Sequence, residues 1–285
     1  METAEVYESF WGDKLYQQRA RKALPLIVRQ AIIGEKIYYS DLADELEMPN
    51  AKNLNYVLGC IGSTLIELSE RVGKKIPPIQ CLVVNKATEL PGAGIGWFIS
   101  EKEFKKLSKK QKKVVVDSQL SKIFSYPGWL WILDELGIEH PDFPRLPEFR
   151  KRPKGGGEGL LHKELKKYIA SNPCAIGLSD NWPTGEIEFG LPSGDSVDVM
   201  FSYRKQMVAV EVKSRISDAA DINRGLFQCV KYQAVTEAML GTQGKPQNVQ
   251  TLLVLESSFP KELIPLKNML GVKVIADIGG NKWRC

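Results

Sequence analysis

Ser196-Val197-Asp198-Val199-Met200-Phe201, followed by Val208-Ala209-Val210-Glu211-Val212-Lys213, is the stretch on which the fold turns. Each half alternates β-branched or apolar residues with polar ones. A short basic segment, residues 203–206, separates them, so the pair predicts a hairpin near the centre of a sheet. A carboxylate in such a strand is costly unless something cationic satisfies it. Glu211 and Lys213 stand two apart and therefore share a face, next to the place Asp198 can take. Two carboxylates and an ammonium converging at strand ends make a divalent-metal site with a charged helper.

Elements of fitting length surround the hairpin. Residues 158–170 read as a helix with Leu161, Leu165, Tyr168 and Ile169 on its buried face, and Glu186-Ile187-Glu188-Phe189 reads as a strand. After the hairpin a long helix, residues 218–240, carries Gln228-Cys229-Val230-Lys231-Tyr232, and residues 249–255 read as a buried strand. Arg224, Gln228 and Tyr232 are four apart and form one polar stripe, with Leu226, Cys229, Val230 and Ala234 turned toward the core.

Asp198 with Glu211-Val212-Lys213, the Gln228 to Tyr232 Gln-x-x-x-Tyr pattern and the helix, three strands, helix, strand order resemble the PD-(D/E)XK nuclease superfamily over residues 155–280. That resemblance implies a restriction-endonuclease-like α/β domain, a mixed central sheet flanked by helices. It implies Mg²⁺, with Mn²⁺ as a substitute, held by Asp198, Glu211 and the main-chain carbonyl of Val212. A third acid from the preceding helix is expected, Glu158 first and Glu164 second, although a carboxylate at a helix N-terminus is favoured without any catalysis. Lys213 would orient the attacking water or stabilise the transition state, with Gln228 and Tyr232 beside the site and the nucleic acid. Arg224 and Arg215 are read as contacts to the nucleic-acid backbone, and His162 as a supporting or packing residue rather than a ligand.

At 285 residues the chain suits two domains. No run reaches the apolar length of a membrane span and the N-terminus does not read as a signal peptide, so no membrane partner is expected. Five scattered cysteines and two histidines make a zinc site improbable, and free thiols point to a cytoplasmic location. A net charge of +5 permits a polyanionic partner without requiring one.

Residues 1–100 have their own logic. Residues 14–33 show helical spacing interrupted by Pro25, residues 40–46 read as a short helix capped by Ser40, and a second helix is expected from Asn50 with Leu54, Val57, Leu58, Ile61 and Leu65 on one face. Lys52, Asn53, Asn55 and Tyr56 are left mostly outward, side-chain types suited to a DNA groove. Strands at 79–84 and 95–99 around a Gly-rich loop add a wing. From Tyr39 to Phe98 the pattern resembles the winged-helix domain of DNA alkyltransferases and their non-catalytic relatives, through Val83-Val84-Asn85 and Leu90-Pro91-Gly92. Gln80 falls where those enzymes carry the acceptor cysteine, so the resemblance implies fold and DNA binding only. A helical dimerisation or scaffold module is the alternative, and a homodimer is left open.

Residues 101–138 read as a lysine-rich helical connector, residues 139–157 as a Pro-rich then Gly-rich linker, and residues 158–285 as the catalytic domain. The expectation is a Mg²⁺-dependent endonuclease acting on double-stranded DNA, in restriction or anti-phage defence. DNA repair, an RNA nuclease and a DNA-binding regulator with a vestigial nuclease fold are the alternatives.

Overall fold

The computed structural model describes residues 10–92, 101–144, 159–244 and 248–278. The chain divides into two compact units, Met1–Arg145 and Leu146–Cys285.

In the first unit, α1 (Leu15–Ile33) buries Ala20, Ala23, Leu24, Ile27, Val28 and Ala31, the three- and four-residue spacing of one helix face. It ends at Gly34, whose φ of 79° is left-handed. β1 (Ile37–Tyr38), α2 (Tyr39–Glu45) and α3 (Leu54–Val72) follow, then a 3-10 turn at Ile79–Leu82 and β2 (Val83–Val84), which pairs parallel with β1. Arg29 on α1 meets Glu45 on α2 at 2.7 Å with both side chains buried, so each neutralises the other.

Several local expectations change here. Tyr38, not Ser40, occupies the N-cap of α2, and the Ser40 hydroxyl donates to its neighbour Asp41. The helix expected from Asn50 begins at Leu54, because the Asn50 side chain accepts from the Lys52 N–H at 3.0 Å and holds residues 50–53 as a turn. Ile79–Leu82 is a 3-10 turn rather than a strand: Pro77-Pro78 leads into it and Cys81 N–H donates to the Pro78 carbonyl at 3.1 Å. The second wing strand, residues 95–99, lies outside the described residues.

The segment expected as a connector is a wall of this unit. α4 (Glu101–Lys106), α5 (Lys109–Phe124) and α6 (Trp129–Glu135) place Phe104, Val116, Leu120, Ile123, Trp129, Ile132 and Leu133 in the same core as α1 and α3. Trp129 is buried, its indole N–H donating to the Ile123 carbonyl at 2.8 Å. Lys102, Lys106, Lys110 and Lys113 are exposed.

The second unit is mixed α/β. α7 (Leu160–Ser171) leads through a 3-10 turn, Pro173–Ile176, to β3 (Glu186–Gly190), β4 (Ser196–Tyr203) and β5 (Gln206–Lys213). α8 (Ala219–Thr242), β6 (Asn248–Leu255), α9 (Ile264–Met269) and β7 (Lys273–Ile275) complete it. The five strands lie in the order β3-β4-β5-β6-β7, antiparallel across β3, β4 and β5 and parallel across β5, β6 and β7. The hairpin thus sits at the sheet centre, and β5 is almost continuously buried, as a strand covered on both faces must be. One face carries Val199, Phe201, Val208, Val210, Val212 and Val254 against Leu165 and Ile169 of α7. The other packs Met200, Met207 and Ala209 against Tyr232 and Leu240 of α8. Each buried Val, Leu, Ile, Phe or Met side chain contributes about 1.5–3 kcal/mol.

On α8 the buried set is Ile222, Asn223, Gly225, Leu226, Cys229, Tyr232, Thr236 and Leu240. Val230 and Ala234, expected in the core, face outward, because the helical period centres the buried stripe on Cys229 and Tyr232. Cys60, Cys81 and Cys229 are buried free thiols, whereas Cys174 is disulfide-bonded, a departure from the expected free thiols. Residues 145–157 of the linker lie outside the described residues. Among the described residues no helix is long and apolar enough to cross a membrane.

Candidate functional site

The site forms where the central hairpin forks. β4 and β5 pair from Tyr203↔Gln206 up to Val199↔Val210, and the next opposed residues are Asp198 and Glu211. Side-chain alternation slips at the same point: Val199 and Phe201 pack toward α7, but Val197 joins Met200 on the other layer. A regular strand would place Val197 with Val199. At the slip, Asp198 Oδ2 accepts the Val212 N–H at 2.9 Å, so the carboxylate takes the role of a ladder carbonyl. The N–H and C=O of one strand residue face the same edge, which puts the Val212 carbonyl on the Asp198 side.

Glu211 is 2% exposed. Its Oε1 accepts from Lys213 Nζ at 2.6 Å, while its Oε2 is buried with no donor in hydrogen-bonding geometry, although the Tyr232 hydroxyl also pulls on this carboxylate. Lys213 Nζ also stands 3.4 Å from Gln228 Oε1, Gln228 Nε2 donates to the Tyr232 hydroxyl at 3.2 Å, and that hydroxyl donates to the Ser196 carbonyl at 2.9 Å. One chain of polar contacts therefore ties β5 through α8 to the start of β4. On the opposite side, Asp198 Oδ1 lies 3.5 Å from His162 Nε2 and 3.6 Å from Lys166 Nζ, both on α7.

The two carboxylates titrate in opposite directions. Burial, then the charge of Asp198, pushes Glu211 up to about 7, against the pull of Lys213 and of the Tyr232 hydroxyl. Burial alone would raise Asp198 too, but His162, the Val212 N–H and Lys166 together hold it below the usual carboxylate range. Burial followed by the nearby carboxylates raises the Tyr232 phenol, so it serves as a neutral donor rather than a base.

Gly225 sets how closely α8 approaches. A Cβ there would stand 2.8 Å from Leu253 Cδ1 and 2.9 Å from Lys213 Cε. Gly225→Ala is therefore expected to destabilise the unit by about 1–3 kcal/mol through overpacking and to displace the Lys213 ammonium. A urea midpoint equal to that of the parent protein would show that the helix yields without cost.

Of the residues singled out from sequence, Asp198, Glu211, Val212, Lys213, Gln228 and Tyr232 come together. Glu158 lies outside the described residues. Glu164 is exposed on α7 and, two residues from both His162 and Lys166, lies about 200° around the helix from them, so it faces away from Asp198. Arg224 pairs with Asp221 at 3.0 Å and is partly exposed. Arg215 is mostly exposed, with its N–H donating to Glu256 at 2.9 Å. In the first unit, Lys52 and Asn53 are exposed immediately before α3 and Tyr56 is exposed on its first turn. Asn55 is half-buried, with its Oδ1 unpartnered, which departs from the outward face expected of it.

Sequence reasoning missed Lys166, Glu188 and Gly225. Lys166 is a buried ammonium paired with Glu188 and close to Asp198. The signal was present: His162 and Lys166 are four apart and share a helix face.

Comparison of the chain with protein-family models, with curated proteins and with solved structures gives no match. Among the described residues no group of three His, Cys, Asp or Glu side chains is arranged to hold a metal. The fit to a divalent cation therefore rests on two carboxylates and a main-chain carbonyl. The buried, unpartnered Glu211 Oε2 beside the Asp198 charge favours such a cation, because burial without a partner disfavours the ionised acid. The donor set is all oxygen, the chemistry of Mg²⁺ and Mn²⁺.

Proposed function

We propose that the protein is a Mg²⁺-dependent endonuclease of the PD-(D/E)XK type, hydrolysing phosphodiester bonds in double-stranded DNA. In this reading the second unit has the restriction-endonuclease-like fold, and the first is a winged-helix reader. The order α7, β3, β4, β5, α8, β6 supports the fold assignment. The observation that carries the function is the fork itself: Asp198, Glu211 and Lys213 converge there, with one buried carboxylate oxygen left without a donor.

Asp198, Glu211 and the Val212 carbonyl would hold the ion. When bound, it supplies Lewis-acid stabilisation of charge building on the phosphate and makes a water more acidic. Lys213 has three donors; Glu211 and Gln228 occupy two, and the third serves a phosphate oxygen or the attacking water. Gln228 and Tyr232 hold that ammonium in place through the contacts to α8 and to the Ser196 carbonyl. Tyr232 remains protonated, so the proton of the attacking water leaves by another route. Arg224 and Arg215 are read as phosphate contacts at the rim.

The test is incubation of the purified 285-residue chain with modified duplex DNA, unmodified duplex DNA and RNA, each with Mg²⁺ or with EDTA. Mg²⁺-dependent cutting of duplex DNA is expected, and cleavage unaffected by EDTA would end the reading. Restriction or anti-phage defence is the proposed setting, since a reader joined to a cutter chooses its target without another subunit.

The reader role carries its own expected result. Replacing Lys52, Asn53 and Tyr56 by alanine together in the full chain should weaken duplex binding roughly tenfold or more, each base or phosphate contact contributing about 1 kcal/mol. Fluorescence anisotropy with a labelled duplex measures it. Unchanged affinity would favour a dimerisation role for this unit.

A further inference from the structure

Glu188 and Lys166 play no part in the proposed chemistry, yet both converge on Asp198. β3 pairs with β4 at Ile187↔Val199 and Phe189↔Val197, which sets Glu188 opposite Asp198. At that place Glu188 has a φ of 57°, a left-handed conformation that non-glycine residues rarely adopt. From there one oxygen of Glu188 takes the Lys166 ammonium in a close ion pair, and the other accepts from the Ser196 hydroxyl at 2.8 Å. Lys166 is 3% exposed, whereas half of the Glu188 side chain meets solvent. The ammonium's contact to Asp198 Oδ1 is longer, at 3.6 Å, beyond hydrogen-bonding distance.

These distances place one buried ammonium between two carboxylates, closer to Glu188 than to Asp198. A buried ammonium needs a carboxylate partner. Asp198 is a second carboxylate within reach of the same ammonium, and it is the residue a divalent ion would also require. An ammonium seated on Asp198 Oδ1 would compete with the ion for the same oxygen and repel it.

We propose that Glu188 is a positioning residue: it draws Lys166 away from Asp198 Oδ1, so that this oxygen, with His162 Nε2 at 3.5 Å, carries no seated ammonium against a divalent cation shared with Glu211 Oε2. The proposal rests on the reading of Asp198 and Glu211 as the metal-holding pair. The strained backbone at Glu188 aims its carboxylate at Lys166 from the strand opposite.

Isothermal titration of the 285-residue chain with Mn²⁺, and separately with Ca²⁺, tests this without any cleavage assay. Glu188→Gln removes the charge that anchors Lys166 and is expected to weaken divalent binding by roughly tenfold or more, the range seen when a residue supporting a metal ligand is changed. Lys166→Met removes the competing ammonium, and the double variant Glu188→Gln/Lys166→Met should recover the affinity lost by Glu188→Gln alone. Circular dichroism of each variant establishes that it is folded, and DNA affinity in EDTA is expected to stay at the parent value. A folded Glu188→Gln variant that binds Mn²⁺ as tightly as the parent overturns the positioning role and leaves the nuclease reading standing. A double variant that binds no better than Glu188→Gln also overturns it, since competition by Lys166 is then not the cause. If the parent chain binds neither ion, the metal-holding pair fails, and this inference fails with it.

Discussion

Glu211→Gln is expected to abolish Mg²⁺-dependent cleavage and, in the same protein, to remove a pH-dependent loss of stability. The rate should fall by about 10²–10³-fold or more, the size of effect that follows loss of a preorganised electrostatic group at a transition state. The stability effect follows from the raised pKa. Glu211 is carried from an ordinary carboxylate value up to about 7 by burial and by the charge of Asp198. The folded state therefore binds this proton more tightly than the unfolded chain. The contribution is fully present below the unfolded pKa and is lost as pH rises through about 7. In EDTA, the parent should lose about 2–3 kcal/mol relative to Glu211→Gln between about pH 5 and about pH 8, at 1.36 kcal/mol per unit. Urea unfolding at both pH values measures it. Parallel curves for the two proteins would mean that Glu211 is satisfied in a way the unpartnered Oε2 does not indicate. Saturating Mg²⁺ should flatten the parent's curve, because a ligand that binds only the folded, ionised site stabilises it by mass action.

Asp198→Ala should also eliminate cleavage, but with the opposite effect on the folded protein. The Asp198 carboxylate accepts the Val212 N–H at 2.9 Å and faces His162 and Lys166. Removing it leaves a strand N–H at the fork without its acceptor, and destabilisation of about 1–3 kcal/mol is expected. Thermal unfolding and duplex cleavage on the same preparation separate the two effects. A cleavage-competent Asp198→Ala variant would sink the metal assignment. A variant that is inactive yet as stable as the parent would show that the fork is held by the helices, with little contribution from the carboxylate. Two neighbouring acids thus differ in a checkable way: neutralising Glu211 relieves the fold at high pH, whereas deleting Asp198 weakens it.

The chain's periodicities were enough to place the hairpin, the helix on either side and the buried strand that follows, because each rests on local spacing. β5 is legible since a strand covered on both faces must be apolar throughout, and its two charged residues stand out against that background. Gln228 and Tyr232 are legible as a stripe because four residues bring helix positions into line. Where two local rules compete, sequence alone misplaced boundaries. Asn50 is a good cap by type, but its side chain closes a turn with Lys52 and the helix waits until Leu54. Ile79–Leu82 is apolar enough for a strand, yet the prolines before it start a 3-10 turn.

What sequence by itself determined is therefore the inventory: two carboxylates and a lysine on a central hairpin, a Gln and a Tyr on the next helix, and a basic segment before them. Tertiary structure alone decided how these are shared. The slip of alternation at Asp198 turns its carboxylate onto the Val212 N–H, and the close approach at Gly225 sets Gln228 against Lys213. The left-handed turn at Glu188 commits Lys166 to a partner twenty-two residues away. None of these is a periodic signal. Each depends on which chain segment lies across the sheet, and that is fixed by the packing of the two helices on opposite faces rather than by any residue's own preference.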